Sequence, residues 1–141
     1  MIRKSKAIWK GTLRHGQGRI ELGSGAFEGE YSFKTRFEDE PGTNPEELIG
    51  AAHAACFSMA LAASLTDAGH RPDEIKTEAK VKLSKGEDGF EISYIKLTTE
   101  AKIADMSEEE FEIFALRAKE DCPVSKALSA TRIELEAKLV K

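Results

Sequence analysis

From Leu48 to Leu65 the chain carries no Asp, Glu, Lys or Arg, and His53 is its only residue of basic type. A helix of that composition is buried on most sides. The stretch before it reads as a helix start. Asn44 suits the N-cap, Pro45 the first helical position, and Glu47 the third, where its carboxylate can return to the N-cap amide. Gly69 ends the helix and Pro72 lies beyond it, which predicts roughly 24 residues, or ~36 Å at ~1.5 Å per residue. A chain of 141 residues is the size of one domain and can hardly wrap such a helix alone. A second copy of the chain is therefore expected to cover part of it.

The rest of the chain supplies short β-elements and two shorter helices. Ala7–Trp9, Gly16–Leu22 and Tyr31–Phe33 have strand character between glycine-rich turns, which predicts a β-meander. Thr77–Leu83 and Phe90–Glu100 alternate around Gly86-Glu87-Asp88-Gly89, a hairpin with one wet face. Ser107 caps a helix from Glu108 to Glu120, with Glu110 completing a capping box and Phe111, Phe114, Ala115 and Ala118 as its stripe. Pro123 to Ala130 reads as a short helix, and Thr131 to Leu139 as a last strand. The expected class is α+β, one domain over residues 1–141, with antiparallel sheet wrapped around a long buried helix.

Two cysteines, Cys56 and Cys122, are the only ones in the chain. Each has an inert reading: Cys56 as a small core residue among alanines, Cys122 as an apolar residue before a helix. The reactive reading requires a thiolate, favoured by a nearby cation or by the donors of a helix start. The net charge of −4, with acids spread along the chain, argues against a nucleic-acid partner. No stretch is expected to reach the ~18 apolar residues of a membrane span, nor is there a signal-peptide run at the N-terminus, so a cytoplasmic protein is expected. In a reducing compartment two cysteines point to redox or catalytic use rather than a permanent staple.

Two segments carry a resemblance. Gly42-Thr43-Asn44-Pro45-Glu46-Glu47-Leu48 running on to His53-Ala54-Ala55-Cys56-Phe57, together with Asp121-Cys122-Pro123-Val124-Ser125, resemble the OsmC/Ohr family of peroxide-reducing proteins. Phe33-Lys34-Thr35-Arg36-Phe37-Glu38 makes the likeness closer to the OsmC branch. The resemblance implies an intertwined homodimer and a thiol-dependent peroxidase that reduces organic hydroperoxides. In that cycle Cys56 becomes a sulfenic acid, Cys122 condenses with it to a disulfide, and an external thiol or dithiol, such as a lipoylated protein, reduces the pair. Arg36 falls where the branch carries its active-site arginine, and Glu46 matches the carboxylate that orients it. Arg14 and Arg19 flank the position where the Ohr branch has its arginine and stay open. Glu46 and Cys56 are ten residues apart, ~15 Å along a straight helix, so Arg36 and Glu46 are expected to serve the Cys56 of a second subunit.

Other readings are weaker. His53, Cys56 and Cys122 are possible soft metal ligands, but no second Cys or His motif completes a tetrahedral site. Phe57, Met59 and Leu61, with Phe27, Phe33 and Phe37, could line an apolar substrate pocket, although such stripes usually form core. No glycine spacing matches a phosphate loop, so no cofactor is expected. The rival from another class is a non-catalytic stress or small-molecule-binding protein with both cysteines inert.

Overall fold

A computed structural model of the chain describes residues 1–140. The fold is α+β, with two three-stranded sheets and one long helix. It divides into two compact units, one from Met1 to Leu48 and one from Ile49 onward.

In the first unit β1 (Ser5–Lys10), β2 (Gln17–Leu22) and β3 (Glu28–Tyr31) form an antiparallel meander in that order. Gly18 pairs with Trp9 on one side and Tyr31 on the other. A Cβ there would stand 2.7 Å from the Trp9 ring, so only glycine lets the two aromatic rings close over the strand, 5.5 Å apart. The expected strand Tyr31–Phe33 is not one. The strand stops at Tyr31 and a short helix, α1 (Phe33–Phe37), follows. Ser32 and Thr35 cap it reciprocally: Thr35 N donates to Ser32 Oγ at 3.2 Å, and Ser32 N to Thr35 Oγ1 at 2.8 Å.

The long helix, α2 (Pro45–Asp67), begins as expected, with Glu47 N donating to Asn44 Oδ1 at 2.8 Å. The Glu47 carboxylate does not return to the cap amide. It accepts from Thr43 Oγ1 at 2.8 Å instead. At the other end Gly69 takes φ +87°, and the bonds His70 N to Leu65 O (2.8 Å) and Gly69 N to Thr66 O (3.0 Å) close a Schellman motif. One window of α2 has mean hydropathy 1.7 and by length and composition could cross a membrane, against the expectation that no stretch reaches that limit.

Within one chain the burial of α2 is confined to one side. Gly50, His53, Phe57, Leu61 and Leu65 make one buried stripe at helical spacing, whereas Ala51, Ala52, Ala55, Met59 and Ala63 are exposed, Met59 at 74%. One chain covers one side.

In the second unit the buried stripe meets a sheet of order β4 (Pro72–Gly86), β5 (Gly89–Ile103), β6 (Arg132–Leu139). β4 and β5 form the expected hairpin, but β5 and β6 run parallel, so the sheet is mixed rather than antiparallel. The chain crosses between them through α3 (Glu108–Asp121) and α4 (Pro123–Ala127), which is what a parallel pair requires. The capping box of Ser107 and Glu110 forms as expected, and Phe111, Ala115 and Ala118 are the buried face of α3. Phe57, Leu61 and Leu65 join Ile95, Leu97, Ala101, Phe111, Ala115, Ala118 and Cys122 in one core.

Shortening Leu61, fully buried at the centre of that core, to alanine is expected to cost ~2–5 kcal/mol. Ile113→Ala, on the exposed side of α3, should stay within about 0.5 kcal/mol in the same denaturant titration.

Candidate active site

The structure brings the expected site residues together as two pairs, Arg36 with Glu46 in the first unit and Cys56 with Cys122 in the second.

Arg36 is on the last turn of α1. It donates to Glu46 through Nε, at 3.1 Å to Oε1 and 3.3 Å to Oε2, and through Nη2 at 2.7 Å to Oε1. Asn44 fixes the spacing of the pair: its Oδ1 caps α2 while its Nδ2 donates to Thr35 O, next to Arg36, at 3.3 Å. The guanidinium also lies over the Phe37 ring at 5.3 Å. Glu46 engages Nε and Nη2, which leaves the Nη1 edge to meet a second anion. Of the two arginines left open, Arg19 is spent on Glu28 at 2.6 Å and Glu21 at 3.7 Å, and Arg14 lies over Phe33 at 4.7 Å.

Cys122 is the joint between α3 and α4. Its N–H ends α3 on Ala118 O at 2.9 Å, and its carbonyl accepts from Lys126 N at 3.0 Å. Pro123 forbids a helical conformation at the residue before it, so α3 must stop there, and Cys122 sits at ψ 119°. Its side chain is fully buried. Cys56, half-buried on α2, packs against the core to which Cys122 belongs, and both sulfurs are free thiols.

Burial pushes the Cys56 thiol up, and its bond to Cys122 pushes it further, while the Val124 amide pulls it down. Burial also raises Cys122, but there it is outweighed. The Ser125 amide, the Cys56 thiol, the Ser125 hydroxyl and the Val124 amide all favour its thiolate, and Cys122 falls below the ordinary thiol value. At the start of α4 the Cys122 side chain makes no cap hydrogen bond. Within this unit the thiolate is therefore favoured at Cys122 over Cys56.

His53 and Ser125 complete the cluster. His53 is fully buried, and its Nε2 stands 2.7 Å from Ser125 Oγ, while Nδ1 has no partner. Burial lowers its pKa, so the ring is neutral. His53 drew attention at three residues before Cys56, but Ser125 did not. Its signal was there in Cys122-Pro123-Val124-Ser125, which places a hydroxyl one turn from the thiol.

Among the described residues no group of three His, Cys, Asp or Glu side chains converges as a metal site, and His53 spends Nε2 on Ser125. Nor do Phe57 and Leu61 line a pocket. Both are fully buried core.

Comparison with known proteins agrees across most of the chain. The profile of the OsmC-like protein family matches residues 37–138. Peroxiredoxin OsmC of Escherichia coli K12 is 46% identical over 129 residues, 91% of this chain and 90% of that protein. The organic hydroperoxide resistance protein OhrB of Bacillus subtilis 168 is 33% identical over 72% of this chain and 71% of its own length. Its crystal structure superposes with TM-score 0.71 at 26% identity, covering 97% of this chain and 98% of that one. An OsmC-like protein from Mycoplasma pneumoniae shares the fold at TM-score 0.78 and 18% identity, covering 100% and 99%.

A buried neutral imidazole opposes acid. The unfolded chain binds a proton near pH 6.5 that the folded ring, with its lower pKa, refuses, so stability should fall as pH drops below 6.5. Denaturation midpoints for wild type and His53→Gln between pH 5 and pH 8 check this, with a shallower dependence expected in the variant.

Proposed function

Because the chain belongs to the OsmC-like protein family, we propose that it is a cysteine-based peroxidase that reduces organic hydroperoxides in defence against oxidative stress. The observation that carries the reading is a pair of free thiols on one core, Cys122 buried at the α3–α4 joint and Cys56 packed against that core from α2. Cys56 attacks the outer peroxide oxygen as thiolate. The O–O bond breaks, the alkoxide leaves and takes a proton to become the alcohol, and Cys56 is oxidised to a sulfenic acid. The Cys122 thiolate then attacks the Cys56 sulfur. The S–S bond forms, the S–O bond breaks, and hydroxide leaves and is protonated to water. An external thiol or dithiol, such as a lipoylated protein, reduces the disulfide.

This cycle asks for a cation. Within its own unit Cys56 is held up by burial, so a positive group must lower it and steady the leaving oxygen. Arg36, oriented by Glu46 with Nη1 to spare, is that group. Ten residues separate Glu46 from Cys56 in sequence, ~15 Å for a straight helix, which supports a pair that serves the Cys56 of a second copy. The uncovered small-residue face of α2, with Met59 at its centre, supports a homodimer built around this helix. A reducing cellular interior is the compartment that fits the two free thiols.

Mixing tests the whole reading. Cys56→Ser and Arg36→Ala should each lose cumene hydroperoxide reduction with a dithiol. Unfolded and refolded together, they should recover activity, because a mixed dimer holds one intact site. No recovery would place the arginine in the same chain as its cysteine, and a wild type no faster than the dithiol alone would remove the peroxidase reading.

A further inference from the structure

His53 and Ser125 form the one buried polar contact beside the thiols that the cycle leaves unused. One ring nitrogen, Nδ1, is buried without a partner. A neutral imidazole carries one N–H, and an orphaned buried N–H is rarer than an orphaned acceptor. The hydrogen therefore sits on Nε2, which donates to Ser125 Oγ at 2.7 Å. Having accepted that bond, the Ser125 hydroxyl must point its own hydrogen elsewhere. The buried Cys122 sulfur stands three residues earlier across the start of α4, and a Ser125 hydroxyl turned to it favours its thiolate. The opposite tautomer would leave a buried donor bare and turn the hydroxyl away from sulfur.

We propose that Ser125, its hydroxyl aimed by the buried His53 ring, is a positioning residue that presents Cys122 as a thiolate to the oxidised Cys56. The proposal rests on the peroxidase reading for its place in the cycle, but not for its test. His53 and Cys56 lie three apart on α2, and Cys122 and Ser125 three apart across the α4 start. Two short spacings thus bring two thiols, a hydroxyl and an imidazole into one buried cluster. In the proposed arrangement the 2.7 Å contact from His53 to Ser125 continues from the Ser125 hydroxyl to the Cys122 sulfur. The Ser125 hydroxyl serves the resolving sulfur, and the attacking sulfur is left to be charged by the arginine. The arrangement keeps a nucleophile ready for the sulfenic acid, which shortens the time in which Cys56 can oxidise further.

The test needs no turnover. In a Cys56→Ser background Cys122 is the only thiol, and its ionisation is read by thiolate absorbance against pH. Adding Ser125→Ala or His53→Phe should raise the Cys122 midpoint by about one pH unit, the size expected for losing a hydrogen bond to a charged sulfur. His53→Gln, whose side-chain amide can still donate, and Ser125→Thr, which keeps the hydroxyl, should restore most of the shift. Midpoints for Ser125→Ala and His53→Phe unchanged from the background would overturn the proposal. So would a shift in His53→Gln as large as that in His53→Phe. Failure of wild type to reduce peroxide would remove the peroxidase reading and leave this titration result standing.

Discussion

One buried stripe on α2 holds the second unit together and aims its chemistry. Phe57, Leu61 and Leu65 pack against β5 and α3, so the rotation of the helix about its axis is set by large apolar side chains. Cys56 precedes Phe57 and His53 lies one turn earlier on the same stripe. Their directions follow from packing that has nothing to do with redox chemistry. Cys122 belongs to the same core, placed there by the Pro123 that stops α3. A site held by a core in this way loses little entropy when the two sulfurs meet.

The electrostatic division of labour follows from where each sulfur sits. At Cys122 the amides and hydroxyl of its own turn favour the thiolate and hold the thiol below its ordinary value without any neighbouring cation. Cys56 is in a helix interior whose own amides are spent, and burial alone would keep it protonated. It needs a positive group that its own unit does not supply. Arg36 is fixed to Glu46 by three bonds and gives this account its source of charge.

Much of this could be read from local sequence, and the rest was illegible for identifiable reasons. Asn44-Pro45, Gly69 and the Ser107–Glu110 box are short-range signals, and the helix ends formed where they pointed. The alternation of Arg132–Leu139 says that one face is buried but not which strand it joins, so the parallel pairing with β5 could not be read from it. The five residues of α1 are too few to show a helical period, and Thr35 replaces the usual Glu or Gln in its capping box. The exposure of Ala52, Ala55 and Met59 depends on how many sides of the helix one chain can reach. Composition reports apolarity, not partners. The pairing of the cysteines and the roles of Arg36 and Glu46 came from motif resemblance. The bias of charge toward Cys122 arose only from the amides and hydroxyl that tertiary structure turns onto its sulfur.

The central claim is that Cys56 and Cys122 of one chain pass through a disulfide. Reduced protein should be treated with one equivalent of an organic hydroperoxide, its remaining thiols blocked, and its peptides mapped by mass spectrometry under non-reducing conditions. The account predicts a single Cys56–Cys122 cross-link within one chain, absent from Cys122→Ser, where Cys56 is trapped as a sulfenic acid instead. Both thiols recovered free, or a cross-link between chains, would contradict it.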